Sequence, residues 1–523
     1  MFSTSKVLKD LQKLSSTPVD LPSAMSKERI EKMQSLNAGW KLSYATERVD
    51  EEVIQTLFQL AHDRNALDLM QQMQLGKCLN QIEGFTSEKK SVLHTATRDF
   101  FKDQLSSKEA DSARRGAYEE VEKLERFVQL MEEREWSDII QIGIGGSSLG
   151  PKAIYQSLRA HQKKPVRVHF LSNIDPDSAS KILQEVHLET TLVISVSKSG
   201  TTLETCQNEE RIRNAFASER IDPQGHFLAV TAKGSPMDNP AHYLAIFYIW
   251  DFIGGRFSAT SMVGGVVLSL ALGFDMYWKL LEGAQAMDRV ARSSVNPKNL
   301  PLMGALLGIW NRNFLHHASL ALIPYAEGLA GFPAHVQQLD MESNGKQIDR
   351  QGNFLDFPAG EILFGDVGTD CQHSFFQFLH QGCDIVPIAF IGVVKDQYGK
   401  DLELEGTSFQ EKLLANLFAQ MIALAQGQKS ENPNQLFLGN RPSHLLLTEV
   451  LDPYRVGALL AYFEHKIAFQ GFIWGVNSFD QEGVQLGKKL SNQMMDGFRC
   501  KKSMQSFSSP IIEACLDLTE DFL

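Results

Sequence analysis

Five hydroxyls crowd into nine positions of one short stretch: Ser197, Ser199, Thr201, Thr202 and Thr205 in SVSKSGTTLET, Ser195 to Thr205. The stretch follows an apolar run and contains Gly200 and a single lysine, Lys198. Short donors on a glycine-relaxed loop that opens a helix suit a phosphate monoester, because donors and helix dipole both favour an anion. It is not a Walker loop: GxxxxGK[ST] is absent and no lysine follows the glycine. An ordinary Ser/Thr-rich helix cap accounts for one or two of these hydroxyls. Five favour phosphate.

A second glycine-rich stretch, IGIGGSSLG at Ile142 to Gly150, leads from an apolar run into a helix-like segment. Backbone N–H groups in such a turn can approach an anion at the helix N-terminus. Asp175 invites a dinucleotide reading, but Gly143-x-Gly145-Gly146-Ser147-Ser148 lacks the last small residue of that fingerprint. From these residues alone, an anion site and a tight turn without a ligand stand level.

Groups able to move protons fall elsewhere. DFIGGRFSATSMVGG, Asp251 to Gly265, sets Arg256 after a glycine pair, where a permanent charge can stabilise a developing anion or simply be ion-paired. QQLDMESNGK, Gln337 to Lys346, holds Asp340 and Glu342, either a general base or the solvated end of a helix. GDVGTDCQHSFFQ places His373 after a glycine-bearing loop, as a proton carrier or a packed imidazole. Further on, AYFEHKIAFQGFIWGVNSFDQ carries Glu464, His465 and Lys466, and VQLGKKL carries Lys488, a donor to a substrate oxygen or a surface lysine. The sequence has no HExxH, no Cys/His cluster and no Gly-x-Ser-x-Gly elbow, and His316 and His317 are adjacent and diverge on a helix. No metal ligand set and no cofactor is expected, so the chemistry must run on carboxylate, imidazole and ammonium groups.

Such groups need elements to hold them. Helical spacing marks Val53–Leu60, Ala66–Leu79 and Val121–Met131, so the first hundred or so residues read as mostly helical. From Asp138 the pattern changes. DIIQI, VRVHFL (Val166–Leu171), TLVISVS (Thr191–Ser197) and HFLAVT (His226–Thr231) read as buried strands. Between them Pro151–Leu158, Ser178–Val186 and Leu203–Ala217 supply crossover helices. After long helices over Asp275–Val290 and Leu302–Ala318, a second set of strands follows: SLALIPY (Ser319–Tyr325), EILFGD (Glu361–Asp366) and IVPIAFIG (Ile385–Gly392). The architecture expected is two α/β units in tandem, each with a mainly parallel sheet, between a helical start and a helical end.

The 523 residues are 43% hydrophobic and 22% charged, as in folded globular chains, and leave room for two or three domains. The net charge of −12 argues against a nucleic-acid or membrane-surface partner, while a local donor cluster can still bind an anion. No signal peptide is legible at the N-terminus, and the apolar run Ser261–Phe274 is too short to span a bilayer. Six scattered cysteines without a CxxC pair read as reduced, mostly buried thiols of a cytoplasmic protein.

Taken in order, IGIGGSSLGP, SVSKSGTTLET, GGRFS, QQLDMESNGK, Gly368-Thr369-x-x-Gln372-His373, YFEHK and NSFDQxGVxLGK resemble the motifs of the phosphoglucose isomerases, over about residues 140 to 490. The resemblance implies two doubly wound sugar-isomerase (SIS) type α/β domains. The smaller covers 105–272. The larger is built from 1–104, mostly helical, and 273–490, with a C-terminal arm at 491–523. It implies metal-free and cofactor-free interconversion of glucose 6-phosphate and fructose 6-phosphate in a homodimer with a shared active site. It assigns Glu342 as the proton-shuttling base, Arg256 to the enediolate, and His373 and Lys488 to ring opening, with His373 supplied by the neighbouring subunit. Gly146, Ser147, Ser197, Lys198, Ser199, Thr202 and Thr205 would hold the phosphate end, with Gln337 and Gln481 as further substrate contacts.

Three positions depart from the family's pattern. Asp370-Cys371 stand where Asn-Gly is usual, which narrows the backbone choices of the loop carrying His373. Ala259-Thr260 replace a bulky Leu-Trp pair, and Glu482 replaces a tryptophan. Other readings are a non-catalytic sugar-phosphate sensor, an isomerase that also accepts mannose 6-phosphate, and a nicotinamide dehydrogenase. The sensor needs none of Glu342, His373 and Lys488, and the dehydrogenase needs the fingerprint that is broken here.

Overall fold

The computed structural model describes residues 5–502 and 509–519. By compactness it divides into residues 1–478 and 479–523. The N-terminal hundred residues do hold helices, at Lys6–Ser15, Glu51–Asp63 and Ala66–Gln74, but the mostly helical expectation misses a hairpin. Its strands, β1 (Gln34–Asn37) and β2 (Trp40–Ser43), turn through Ala38 and Gly39, both at positive φ.

After helix α1 (Lys108–Met131) comes β3 (Asp138–Ile142), then α2 (Leu149–Leu158), β4 (Arg167–Leu171), α3 (Pro176–Glu185), β5 (Thr191–Val196) and α4 (Leu203–Ser218). β6 (Phe227–Thr231) and β7 (Ala245–Tyr248) complete a five-stranded sheet, all parallel, in the order β4-β3-β5-β6-β7. Four of these strands are where the apolar runs place them; β7 is not legible in advance. Every residue of β3, β5 and β6 is buried, as two-sided cover demands. Ile140, Ile142 and Val193 pack against Ala179 of α3 and Ile212 and Phe216 of α4. α5 (Met262–Leu272) covers the sheet from further along the chain. The window Gly255–Leu272 is apolar enough to cross a membrane by composition, yet 89% of it is buried inside the protein.

Helices α6 (Phe274–Ala291) and α7 (Leu300–Ile309) lead to the second sheet. There β8 (Ser319–Tyr325), α8 (Phe332–Asn344), β9 (Ile362–Phe364), α9 (Gly368–Gln372), β10 (Ile388–Val393), α10 (Phe409–Gln426), β11 (Ser443–Thr448) and α11 (Pro453–Trp474) follow in turn. The sheet order is β1-β2-β11-β10-β8-β9, with β8 to β11 parallel and the β1–β2 hairpin antiparallel at one edge. α11 is buried on nearly every face, begins on an Asp452 cap with Pro453 behind it, and stops at Gly475 in the left-handed region.

The unit 479–523 contains α12 (Gln485–Lys502) and α13 (Pro510–Asp517), which pack on each other where Leu516 and Ile512 meet Gly497. Residues 503–508 and 520–523 of the expected arm, with residues 1–4, lie outside the described residues. The expectation of mostly buried thiols fails: Cys78, Cys383 and Cys515 are exposed, and only Cys371 is buried. Position sets the exposure: Cys78 opens a short two-stranded hairpin, and the helix α13 that carries Cys515 buries only Ile512 and Leu516.

Candidate active site

Both sheets share one strand logic. In chain order the first sheet runs 2-1-3-4-5, and the parallel part of the second runs 2-1-3-4. Crossovers on either side of the first strand leave in opposite directions, which opens a crevice beyond the carboxyl ends of strands one and three. In the first sheet those are β3 and β5, and the two glycine loops singled out from the sequence follow them directly.

The loop after β5 keeps its hydroxyls together. Ser197 Oγ lies 2.9 Å from Thr202 Oγ1 and 3.5 Å from Ser199 Oγ, and the Gly200 N–H donates to Ser197 Oγ at 3.1 Å. Gly200 takes φ +66°, a conformation costly for any side chain. Thr202 is the N-cap of α4, but its side chain makes no capping hydrogen bond. The Thr205 hydroxyl, one turn in, is buried without a partner. The Thr202 and Thr205 hydroxyls are therefore not employed as caps, as an anion site at a helix N-terminus requires. Lys198 differs: its ammonium donates to the Ile253 carbonyl at 2.9 Å, and burial pushes its pKa down.

The loop after β3 is a junction. A Cβ at Gly146 would lie 2.0 Å from the Gly255 carbonyl oxygen, so two backbones touch where the first glycine turn meets the Arg256 turn. At Gly145, with φ +58°, an added Cβ would lie 3.0 Å from the Gln338 amide nitrogen. Ser147 is half-buried between them, its carbonyl accepting from Gln141 at 2.7 Å.

Arg256 is buried, and its fork is shared out. Nε donates to Ser343 Oγ at 2.7 Å, Nη2 to the Ser478 carbonyl at 2.6 Å, and Nη1 stands 3.6 Å from Glu342 Oε2. That last spacing is beyond a direct hydrogen bond. Glu342, near the C-terminal end of α8, keeps 20% of its side chain exposed against 1% for Arg256. Gln338, one turn earlier on α8, donates to Glu342 Oε2 at 3.1 Å. A carboxylate with one solvent-facing side beside a fixed guanidinium can take a carbon-bound proton while the cation stabilises the resulting oxyanion.

Residues 43–512 match the sequence profile described as phosphoglucose isomerase. The chain belongs to the phosphoglucose isomerase family. It is 50% identical over 524 residues to a glucose-6-phosphate isomerase of Protochlamydia amoebophila, covering 100% of this chain and 98% of the relative. It is 52% identical over 496 residues to one of Chlamydia caviae, 94% of each chain. A crystal structure of a glucose-6-phosphate isomerase from Chlamydia trachomatis superposes with a TM-score of 0.95 at 48% identity, covering both chains fully. The α/β class with parallel sheets, and isomerase as the enzyme class, follow.

Other positions expected from the family resemblance are placed as follows. Gln337 is exposed and ties its amide to the Leu363 carbonyl at 2.9 Å, whereas its neighbour Gln338 reaches Glu342 and Gly145. Sequence reasoning missed Gln338; its only signal is the i, i+4 spacing to Glu342, which needs the helix phase to be known. His373 caps the C-terminal end of α9 and is exposed. α9 is itself pinned: a Cβ at Gly368 would sit 2.4 Å from the Tyr325 ring, and Gln372 donates to Tyr325 Oη at 2.9 Å. A side chain is accommodated at the glycine's position: Cys371 is helical and buried in the core beside Tyr325 and Leu379. Gln481 and Lys488 belong to the 479–523 unit, Lys488 on the first turn of α12. At the Leu-Trp position, Ala259 faces Gly150, and Thr260 accepts from buried Arg98 at 3.3 Å.

Proposed function

We propose that this protein interconverts glucose 6-phosphate and fructose 6-phosphate, in the cytoplasm, as a step of glycolysis and gluconeogenesis. The observation that carries the reading is the Glu342–Arg256 pair, 3.6 Å apart, and the hydroxyl cluster of the loop after β5 supports it. The relatives' names supply the substrate.

Ser147, Ser197, Ser199, Thr202 and Thr205 take the phosphate, whose binding energy fixes the reacting carbons at a distance. A hexose phosphate is mostly a closed ring, so a proton must leave the carbon 1 hydroxyl and another reach the ring oxygen. His373 and Lys488 are the groups suited to that exchange. Glu342 then takes the carbon 2 proton and returns it to carbon 1 while the hydroxyl proton passes from oxygen 2 to oxygen 1, and Arg256 stabilises the enediolate between the two carbon transfers. The exposure of His373 supports the view that it serves a partner's site, which makes the homodimer the active form.

Purified protein given fructose 6-phosphate in the presence of a chelator is expected to form glucose 6-phosphate. Glu342→Gln lowers kcat about 1,000-fold, within the range for losing a general base, while binding of an unreactive hexitol phosphate persists. Turnover at the wild-type rate in that variant would remove Glu342 from the role.

A further inference from the structure

The YFEHK stretch that the site leaves unused lies in the buried middle of α11. Its last residue, Lys466, extends to two carboxylates: Glu361, ahead of β9, at 3.3 Å, and Asp340, on α8, at 3.9 Å. All three side chains are buried. Gln470 adds a 3.4 Å bond to Glu361, but both Asp340 oxygens lack a hydrogen-bond partner. Tyr462 of α11 and Arg312, in the turn after α7, face Glu361. The two residues before Lys466 are committed elsewhere, Glu464 to Arg98 at 2.6 Å and His465 to Asp288 at 2.6 Å.

Two buried carboxylates against one ammonium are a poor device for stability, since well-packed apolar groups of similar volume often do as well or better. The location offers a reason to keep them. Asp340 precedes Glu342 by two residues on the same helix, hence on a different face, and the next residue, Ser343, holds Arg256. We propose that Asp340 and Lys466 are positioning residues for Glu342: their contact fixes the rotation of α8 against α11 and so the spacing between Glu342 and Arg256. The proposal rests on Glu342 being the base.

Burial pushes the Asp340 carboxyl up to about 7, with Lys466 opposing and Glu361 adding to the rise. Folded protein therefore retains a proton that the unfolded chain releases from about pH 4 upward, and stability falls as pH rises between those values. Asp340→Asn removes that loss. At pH 8 this variant is expected to melt at a higher temperature than wild type, yet to turn over about tenfold more slowly with KM unchanged. Wild-type kcat is expected to rise as pH passes upward through about 7, as the Asp340–Lys466 attraction forms, and the variant to lose that step. A purely structural role predicts the same change in melting with kcat and its pH step intact. Wild-type kcat with the step retained in folded Asp340→Asn, while Glu342→Gln is inactive, overturns positioning and leaves the base assignment standing. Turnover in Glu342→Gln overturns the base itself. Should Asp340→Asn not fold, Glu361→Gln leaves Lys466 to Asp340 alone and must move the step to lower pH; an unmoved step overturns the proposal.

Discussion

The hydroxyl loop after β5 and the Glu342–Arg256 pair are held in opposite ways. The Ser197 hydroxyl finds its partners two, three and five residues along the chain, at Ser199, Gly200 and Thr202. Arg256 finds its partners 87 and 222 residues away, at Ser343 and Ser478, and is buried among them. A cradle for a phosphate tolerates local, partly exposed construction, because a dianion accepts several weak donors in several arrangements. The proposed base, which must meet one carbon-bound proton, does not. Its geometry is imposed from outside its own stretch of chain, by Gly146 against Gly255 and Gln338 against Gly145.

Among changes that probe this contrast, breaking the long-range fork while keeping its charge has the largest effect. Arg256→Lys retains the cation but cannot reach Ser343, Ser478 and the Glu342 side at once. We expect kcat to fall about 100-fold with little change in KM, as for loss of a preorganised oxyanion donor. The lost buried hydrogen bonds cost about 1–3 kcal/mol in denaturant unfolding. Steady-state kinetics beside a urea titration check both. Near wild-type kcat would mean that charge alone suffices and that the fork is only packing.

The same contrast explains what could be read from the sequence. Strands β3, β5, β6, β8 and β10 are runs such as DIIQI and TLVISV, whose β-branched and apolar residues and flanking breakers announce them. β1 and β2 do not: QSLN is half-exposed, and β2 is a strand because β11, some 400 residues later, pairs with it in antiparallel register. The clustering of the hydroxyls was legible because their partners sit within one motif. Gln338 was not, since QQ offers two side chains and only the phase of α8 against the glycine turn chooses between them. The placement of Cys371 was not legible for a like reason: whether a missing glycine matters depends on φ, and here the position is helical.

A smaller effect should come from the local region. Ser197→Ala with Thr202→Val removes the 2.9 Å hydroxyl pair while leaving the loop backbone and Gly200 in place. We expect KM for fructose 6-phosphate to rise about tenfold, near 1.4 kcal/mol, with kcat within about threefold of wild type. Since the phosphate is remote from the reacting carbons, a large loss in kcat would instead show that its grip is used to drive the reacting end into place.

The smallest effect separates Lys198 from the hydroxyls around it. It stands in the cradle by sequence, but its ammonium is bonded to the Ile253 carbonyl, in the stretch that leads to Arg256, and burial lowers its pKa. Asp251 opposes that fall and Lys90 deepens it, so the lysine sits in a charged surround that already satisfies it. Removing the amine with Lys198→Met should therefore change KM by less than about threefold, within the few tenths of a kcal/mol usual for a side chain without a unique partner in the site. What it loosens is the approach to Arg256, so a modest drop in kcat should accompany the small change in KM. A tenfold rise in KM, as large as that of the hydroxyl pair, would mean that the ammonium leaves Ile253 for the phosphate on binding. The cradle would then be assembled partly by its ligand, and the line between locally and remotely built halves would have to be redrawn through Lys198.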